Sequence, residues 1–378
     1  MTARSLLAAL LLVASGAAVA CTPTNLDVEN ACDGSFDQIR AESPKAFSAL
    51  GDVVVVSRSE VYAVGGTTKP SRRGVESTDP LVERLAGGRL EALSGPTLST
   101  RAYFQAAAVE PDGALLATGD TDDTVYRIAG GDWTVRSIEV APEIEGPHIL
   151  TGFDLAGEAA WAVGRAGPPG AMRPLLAHRS GNEPMRTTAT GLPAEGSLED
   201  VDAVSPLDVW AVGGSRGAVT LHGGDASLAA VPNPADVDPT AVLRGVHAVG
   251  PADVWAVGSI GPLQRQDPLV LHWDGVAWSE TEVPAFPGTS TRLEDVAAVG
   301  ADDVWAVGTS TRRGLFISPV ILHWDGSTWS IAQSANGGAS TSLTAVAALD
   351  DGTVWAVGFS QPETGSLTVR AFAERRCT

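Results

Sequence analysis

The sequence predicts an all-β fold, a seven-bladed β-propeller whose blades are four-stranded antiparallel sheets. The first observation is a short strand motif, Trp-Ala-Val-Gly in its clearest form, that occurs seven times. Its alanine falls at Ala63, Ala117, Ala162, Ala211, Ala256, Ala306 and Ala356, with steps of 54, 45, 49, 45, 50 and 50 residues. The second observation is a hairpin signal that follows the motif, and the third is a strand pattern that precedes it. A period of about 40–50 residues is typical of one propeller blade.

The sixth copy shows the four strands of the unit most completely. They are predicted at residues 293–299, 304–308, 319–324 and 328–331. Asp325-Gly326 is a strong hairpin signal because both positions tolerate positive φ. The first-strand pattern Leu-x-x-Val occurs at Leu198/Val201, Leu243/Val246, Leu293/Val296 and Leu343/Val346. Copies 1 to 3 are degenerate, and Tyr62 and Leu116 take the place of the tryptophan in the first two.

The seventh copy lacks a fourth strand, and the N-terminal region offers one. After Trp355, one further strand is predicted at residues 367–372. Residues 32–39 (CDGSFDQI) are similar to residues 324–331 (WDGSTWSI) of the sixth copy. We therefore expect residues near 33–43 to complete the last blade and close the ring, which removes an unpaired sheet edge. This closure places Cys32 near Cys377 and predicts a disulfide; the alternative is separate surface thiols.

The first residues predict export. Residues 1–20 contain Arg4, an apolar run and an Ala-x-Ala ending, as in a secretory signal. Cys21 follows in Ala-Val-Ala-Cys, which resembles a bacterial lipobox, although Ala18 replaces the commoner leucine. The alternative is plain cleavage, which leaves an odd thiol. We expect a signal peptide at 1–20, a tether at 21–31 behind a lipidated Cys21, and the propeller at 32–378, in a cell-envelope lipoprotein or a secreted protein.

Most aromatic and histidine residues belong to the repeat. Nine of the ten tryptophans recur at motif positions, which predicts core packing rather than a carbohydrate platform. His178, His222, His272 and His323 each occupy one third strand, so they do not converge on a metal. Asp120, Asp122 and Asp123 could hold calcium or form a solvated loop. We expect no metal, no cofactor and no catalytic residue.

The net charge of −20 argues against a nucleic-acid partner. Basic residues nevertheless concentrate in the variable loops between strands 2 and 3, which share one face of a propeller. They are Lys69, Arg72, Arg73, Arg165, Arg173, Arg216, Arg265, Arg312 and Arg313. We hypothesise that they bind an acidic polysaccharide or an acidic protein surface. Alternatively, they pair with Glu199, Asp200, Glu294 and Asp295 near the channel mouth, where exposed pairs contribute little. We expect a monomer that contacts a membrane only through its lipid.

The Asp-Gly-x-x-Trp hairpin is similar to a degenerate Asp-box of the BNR-type propellers. Together with Trp-Ala-Val-Gly, it resembles the repeat of photosystem II assembly-factor propellers and related secreted bacterial proteins, over residues 32–378. This resemblance implies a non-enzymatic protein-binding or scaffold role. The alternative it implies is a sialidase-like, glycan-cleaving enzyme, which needs an arginine triad, a Tyr nucleophile with a Glu partner and an acid. Of the three tyrosines, only Tyr103 is suitably placed.

Overall fold

The computed structural model describes residues 34–377, apart from residues 46, 72–73, 96–102, 121–123, 143, 169–170, 182, 189–191, 215, 313–315, 336–337 and 364–367. For residues 69–71, 74–77 and 120 only the backbone is described. The described residues form seven four-stranded antiparallel sheets, which confirms the predicted all-β, seven-bladed propeller. No helix in this part of the chain is long and apolar enough to cross a membrane. The predicted signal and tether lie outside the described residues.

Each of the first six blades consists of four consecutive strands, numbered from the channel outward. Blade 1 contains β2 (Phe47–Ser57), β3 (Glu60–Ser71), β4 (Gly74–Ala86) and β5 (Arg89–Ala92). Blade 2 contains β6 (Tyr103–Val109), β7 (Leu115–Asp120), β8 (Thr124–Ala129) and β9 (Asp132–Ser137). Blade 3 contains β10 (His148–Ala156), β11 (Ala159–Ala166), β12 (Arg173–Arg179) and β13 (Arg186–Thr188). Blade 4 contains β14 (Ser197–Ser205), β15 (Asp208–Gly214), β16 (Ala218–Gly224) and β17 (Ser227–Ala230).

The last three blades follow the same order. Blade 5 contains β18 (Val242–Gly250), β19 (Asp253–Ile260), β20 (Asp267–Trp273) and β21 (Trp278–Glu280). Blade 6 contains β22 (Ser290–Gly300), β23 (Asp303–Arg312), β24 (Phe316–Trp324) and β25 (Trp329–Ala332). Blade 7 contains β26 (Ser340–Ala348), β27 (Val354–Gln361) and β28 (Arg370–Arg376), and its outer strand is β1 (Phe36–Ile39).

The ring closes through the N-terminal strand, as the sequence predicts. β1 pairs antiparallel with β28, with Phe36 opposite Arg376. The ring of Phe36 packs edge-on against Trp305 with centroids 5.5 Å apart, just as Trp329 packs against Trp255 one blade earlier. Phe36 therefore takes the outer-strand tryptophan position of the repeat. The strand before it, β28, runs to residue 376, farther than the predicted 367–372.

Every inner strand carries a β-bulge near its start, at the third to fifth residue of the strand. The ladder in blade 4 pairs Leu198 with Gly213 and Asp200 with Val212, so Glu199 is an extra residue. In a regular strand Leu198 and Val201 would face opposite sides. Because of the bulge, both are buried in one cluster between blades 3 and 4. The bulge therefore explains the Leu-x-x-Val spacing.

The second-strand tryptophans form the contacts between blades. Trp210 of blade 4 stacks on His222 of its own blade and packs edge-on against Trp278 of blade 5. Seven of the nine motif tryptophans are buried: Trp161, Trp210, Trp255, Trp278, Trp305, Trp329 and Trp355. Trp273 and Trp324 are half-exposed. The prediction that these residues build the core is confirmed for the seven.

Candidate functional site

The seven bulges meet at one end of the central channel. Each blade places one extra residue there, and together these residues line an opening of about 330 Å³. They are Gly51, Gln105, Thr151, Glu199, Arg244, Glu294 and Thr344. The opening lies where the inner strands begin, which is the face that also carries the 2–3 loops and the blade-to-blade connectors. We call this ring of seven residues the channel mouth.

Immediately inside the mouth, aspartates join neighbouring blades. Asp200 of blade 4 accepts a backbone hydrogen bond from Val246 of blade 5 at 2.9 Å. Asp52 and Asp295, which also directly follow a bulge residue, form the same bond with Ala107 and with Val346, each at 2.8 Å. Two residues farther along the inner strand, Asp154 accepts from Ala203 at 2.8 Å and Asp202 from Ala248 at 3.1 Å. These aspartates are structural clasps between blades.

The clasp carboxyls line the channel but are enclosed by the surrounding blades. This enclosure raises the pKa of Asp52 to about 7, and the charge of Asp295 adds to the shift. It raises the pKa of Asp154 to about 7, with a further contribution from Asp202, and that of Asp295 to about 6. Burial and the charge of Asp295 raise the pKa of Asp200 well above its usual range. The channel therefore keeps these carboxyls protonated to a higher pH than exposed aspartates.

Among the described residues, arginines pair with the glutamates of the mouth and not with Asp200 or Asp295. Arg165 lies 3.7 Å from Glu199, and Arg244 lies 3.3 Å from Glu294. Arg292 also bonds Glu294. The expectation that Asp200 and Asp295 serve as arginine partners is wrong, because the bulge turns their carboxylates toward the backbone of the next blade. The sequence analysis did not identify Arg244 and Arg292 as residues of the mouth. The Leu-x-x-Val spacing was the available signal, because Arg244 lies inside this pattern in blade 5 and Arg292 directly precedes it in blade 6.

The structure spreads the described members of the nine predicted basic residues around the 2–3 loop face instead of gathering them. Arg72, Arg73 and Arg313 lie outside the described residues, as does the side chain of Lys69. Arg165 is paired with Glu199, and the exposed Arg216 with Glu195 at 3.0 Å. Within the described part of the chain, Arg173, Arg265 and Arg312 are exposed and have no ion-pair partner. They belong to blades 3, 5 and 6, so they do not form one site.

A larger groove lies on the same face, beside the mouth. It has a volume of about 1050 Å³ and runs between the 2–3 loop of blade 5 and the connector from blade 5 to blade 6. Leu263, Val283 and Phe286 supply apolar walls, and Leu263 is 75% exposed. The charges around it are mixed: Arg265 and Arg292 are basic, and Asp267, Glu280 and Glu282 are acidic. We call this feature the blade 5–6 groove.

Hydrogen bonds fix the two walls of this groove to each other. The backbone N–H of Thr291 donates to Gln266 O at 2.8 Å, and Gln266 N–H donates to Ser290 Oγ at 3.0 Å. Ser290 Oγ also donates to Leu263 O at 3.2 Å. Pro284 and Pro287 restrict the connector backbone further. The groove is therefore preformed, which reduces the entropy cost of binding.

The described lining of the mouth includes Tyr103, two glutamates and Arg244. Burial raises the pKa of Tyr103 to about 12, which disfavours its phenolate. Arg165, Arg244 and Arg292 are each paired with Glu199 or Glu294, so these described arginines do not form a triad that is free for a ligand, as a sialidase-like site needs. No group of three or more metal-ligating side chains occurs within the described ranges, and Asp122 and Asp123 of the acidic loop lie outside them.

No protein-family model matches the sequence, and no curated protein matches it significantly. Solved propellers are similar in fold. A catalytically inactive virginiamycin B lyase from Staphylococcus aureus, with quinupristin, has a TM-score of 0.61 at 12% identity, over 91% of this chain and 100% of that chain. YCF48 bound to D1 peptide has a TM-score of 0.55 at 15% identity, over 91% and 97%. The WD40 β-propeller domain of Doa1 has a TM-score of 0.56 at 11% identity, over 89% and 95%. At these identities the similarity shows the propeller fold.

Proposed function

We propose that this protein is a non-enzymatic propeller that binds an extended segment of a partner protein in the blade 5–6 groove. The observation that carries the proposal is the groove itself, which is preformed, apolar along its walls and open to solvent. Propellers of similar fold include YCF48, which was solved with a D1 peptide, so a peptide ligand is compatible with this architecture.

The charges of the groove favour a protein over an acidic polysaccharide. Asp267, Glu280 and Glu282 would repel a polyanion, while Arg265 and Arg292 attract single carboxylates. A protein segment can match both signs and place an apolar side chain against Leu263 and Phe286. Binding therefore depends mainly on apolar burial and only weakly on salt.

The experiment uses a photoreactive amino acid at one exposed leucine on each face. Leu263 lies in the groove and is 75% exposed; Leu207 lies on the opposite face in a 1–2 turn and is 74% exposed. After irradiation in the cells that produce the protein, we expect a discrete protein adduct from position 263 and none from position 207. Leu263→Glu should then abolish co-purification of that partner, whereas Leu207→Glu should not.

Equal labelling from both positions, or an adduct with glycan only, would overturn the proposal. Salt provides an independent check. Loss of the complex in high salt together with full retention in Leu263→Glu would instead support the arginine hypothesis, with Arg173, Arg265 and Arg312 as the remaining exposed candidates.

We also propose that this protein is located outside the cytoplasm. This proposal rests on the signal-like residues 1–20 and on Cys21 in its lipobox-like setting. A lipid on Cys21 would hold the groove at a membrane surface, and two or more acyl chains are needed for stable anchoring. Metabolic labelling with an alkyne fatty acid tests it: label is expected on the native protein and lost in Cys21→Ser. Absence of label on the native protein would reject the lipid anchor. The protein would then be either secreted without a lipid or cytoplasmic.

A further inference from the structure

Blade 2 departs from the aromatic packing that joins the other blades. The second-strand position that packs onto the next blade holds an aromatic residue in six blades: Tyr62, Trp161, Trp210, Trp255, Trp305 and Trp355. In blade 2 it holds Leu116, which contacts the core of blade 3. Its neighbour across the sheet is Arg127, where blades 3 to 6 have the histidine that stacks on the tryptophan.

A cavity of about 280 Å³ lies between blades 2 and 3 at this position. Leu116, Val125, Phe153, Pro184 and Met185 form its apolar wall. Between blades 3 and 4, Trp161 extends to the 3–4 turn of the next blade and donates to Asp225 O at 2.7 Å. For blade 2 the next blade is blade 3, and its 3–4 turn contains Pro184 and Met185. The cavity between blades 2 and 3 therefore occupies the space that corresponds to the one into which Trp161 extends between blades 3 and 4.

The polar end of the cavity is formed by arginines. Arg136 and Arg179 line it, and both donate to Oε1 of Glu110, at 2.8 and 2.9 Å. Arg127 Nε donates to Oε2 of the same carboxylate at 2.6 Å and also pairs with Asp112. Glu183 also belongs to the lining, and its side chain is exposed.

The two lining arginines have donors to spare. A guanidinium has five N–H groups, and Arg136 and Arg179 each give one to Glu110. The side chain of Arg179 is only 9% exposed, so its charge is poorly hydrated. Burial would raise the pKa of Glu110, but hydrogen bonds from Arg179, Arg127 and Arg136 hold it below its usual value. Glu110 is therefore charged and holds the three guanidinium groups in place at neutral pH.

We propose that this cavity binds a small aromatic monocarboxylate, with its ring against Leu116 and Phe153 and its carboxylate on Arg136 and Arg179. The ring takes the place that an indole fills in five other blades, and the carboxylate accepts from the N–H groups of Arg136 and Arg179 that Glu110 leaves unused. An apolar pocket with a few convergent polar groups is the usual form of a small-ligand site, and arginine pairs strongly with carboxylates. The site is independent of the groove, because it lies toward the opposite face, among the 1–2 and 3–4 turns.

The test is calorimetric titration of the purified full-length protein with 3-phenylpropionate, and with its neutral amide as the matched ligand. We expect saturable binding of the acid and at least tenfold weaker binding of the amide. Leu116→Trp restores the repeat residue, fills the cavity and should abolish binding. Tyr62→Trp makes the same kind of change in blade 1 and should leave binding intact. Arg136→Gln should weaken binding of the acid by about 10- to 100-fold, with no effect on the amide.

Three results would overturn the proposal: no saturable binding to the native protein, equal affinity for acid and amide, or undiminished binding by a folded Leu116→Trp variant. Thermal unfolding of each variant checks that it folds. If Leu116→Trp does not fold, Arg136→Gln decides the matter, because Arg136 is 38% exposed and its loss opens no core cavity. Unchanged binding of the acid by Arg136→Gln would then reject the site.

Discussion

The carboxylate of Asp200 in blade 4 accepts hydrogen bonds from two blades, through Oδ1 from its neighbour Val201 at 2.8 Å and through Oδ2 from Val246 of blade 5 at 2.9 Å. Asp295 forms the same pair of bonds with Val296 and Val346, at 2.7 and 2.8 Å. Contacts between blades are therefore hydrogen-bonded at the channel as well as apolar farther out. The clasp fixes the inner strands where the bulge residues form the mouth.

The first prediction concerns this clasp. Asp295→Ala removes the acceptor for the N–H groups of Val296 and Val346, and should lower the free energy of unfolding by about 1–3 kcal/mol. Asp302→Ala, at an exposed turn of the same blade, should change it by less than about 0.5 kcal/mol. Equilibrium denaturation with urea measures both. Equal effects of the two substitutions would show that the clasp does not stabilise the ring.

The second prediction is a stability that falls as pH rises from 5 to 8. Enclosure raises the pKa of Asp52 and Asp154 to about 7 and of Asp295 to about 6 in the folded protein, whereas unfolded aspartate titrates near about 3.9. The folded state thus binds more protons between these values. Its stability contribution is complete below the unfolded pKa and is lost as pH rises through 6–7.

Urea denaturation at several pH values and constant ionic strength tests this dependence. Asp52→Asn removes one titrating group, so it should flatten the pH profile even if it also changes the absolute stability. A free energy of unfolding that increases from pH 5 to pH 8, or a profile identical in Asp52→Asn, contradicts the prediction.

The repeat made the seven blades predictable from the sequence. The channel mouth was not predictable, because the β-bulges that form it depart from the strict alternation of a regular strand. Trp-Ala-Val-Gly and Asp-Gly hairpins define strands 2 to 4 because their apolar runs and turn residues act locally. The extra residue at Glu199 is different, since a bulge depends on pairing with another strand. Glu199 and Asp200 look equivalent in the sequence, yet one reaches an arginine and the other the next blade. The cavity beside Leu116 depends on two blades and a turn, so one position of the repeat could not reveal it.

The third prediction compares two buried glutamates at the same repeat position. Glu83 pairs with Ala63 in blade 1, and Glu374 with Ala356 in blade 7, where blades 4 to 6 have Leu221, Leu271 and Leu322. Burial, with the charge of Glu42, raises the pKa of Glu83 to about 9, against a smaller opposing effect of the Glu42 backbone N–H; this N–H does not reach hydrogen-bond geometry, so among the described residues both carboxyl oxygens are unsatisfied. Glu374 instead accepts from Ala335 N at 2.6 Å and from Ser334 Oγ at 2.9 Å.

Leucine should therefore have opposite effects at the two positions. Glu83→Leu replaces an unsatisfied carboxyl with the repeat residue and should stabilise the protein by about 1–2 kcal/mol. Glu374→Leu strips Ser334 and the Ala335 N–H of their acceptor and should destabilise it by about 1–3 kcal/mol. Thermal and urea unfolding of both variants give the comparison. A shift of the same sign in both would mean that hydrogen-bond satisfaction does not separate the two sites.

The fourth prediction is the disulfide that seals the ring. The backbone N–H of Gly34 donates to Cys377 O at 3.2 Å, and Cys377 is buried. Cys32 itself lies outside the described residues and precedes Gly34 by two positions in the sequence. Mass spectrometry of the alkylated, non-reduced protein should recover a peptide that joins Cys32 to Cys377 and none that joins Cys21 to either.

Loss of this bond should be costly because the loop it closes spans almost the whole propeller. The chain-entropy model gives about 5 kcal/mol for so long a loop, and removal of native disulfides typically costs about 2–5 kcal/mol. Cys32→Ser and Cys377→Ser should each lower the free energy of unfolding within that range, and by similar amounts, since either substitution breaks the same bond. Cys21→Ser serves as the matched control and should leave it unchanged. Free thiols at both positions, or equal stability with and without reductant, would mean that β1 is held to β28 by strand pairing and by the packing of Phe36 on Trp305 alone.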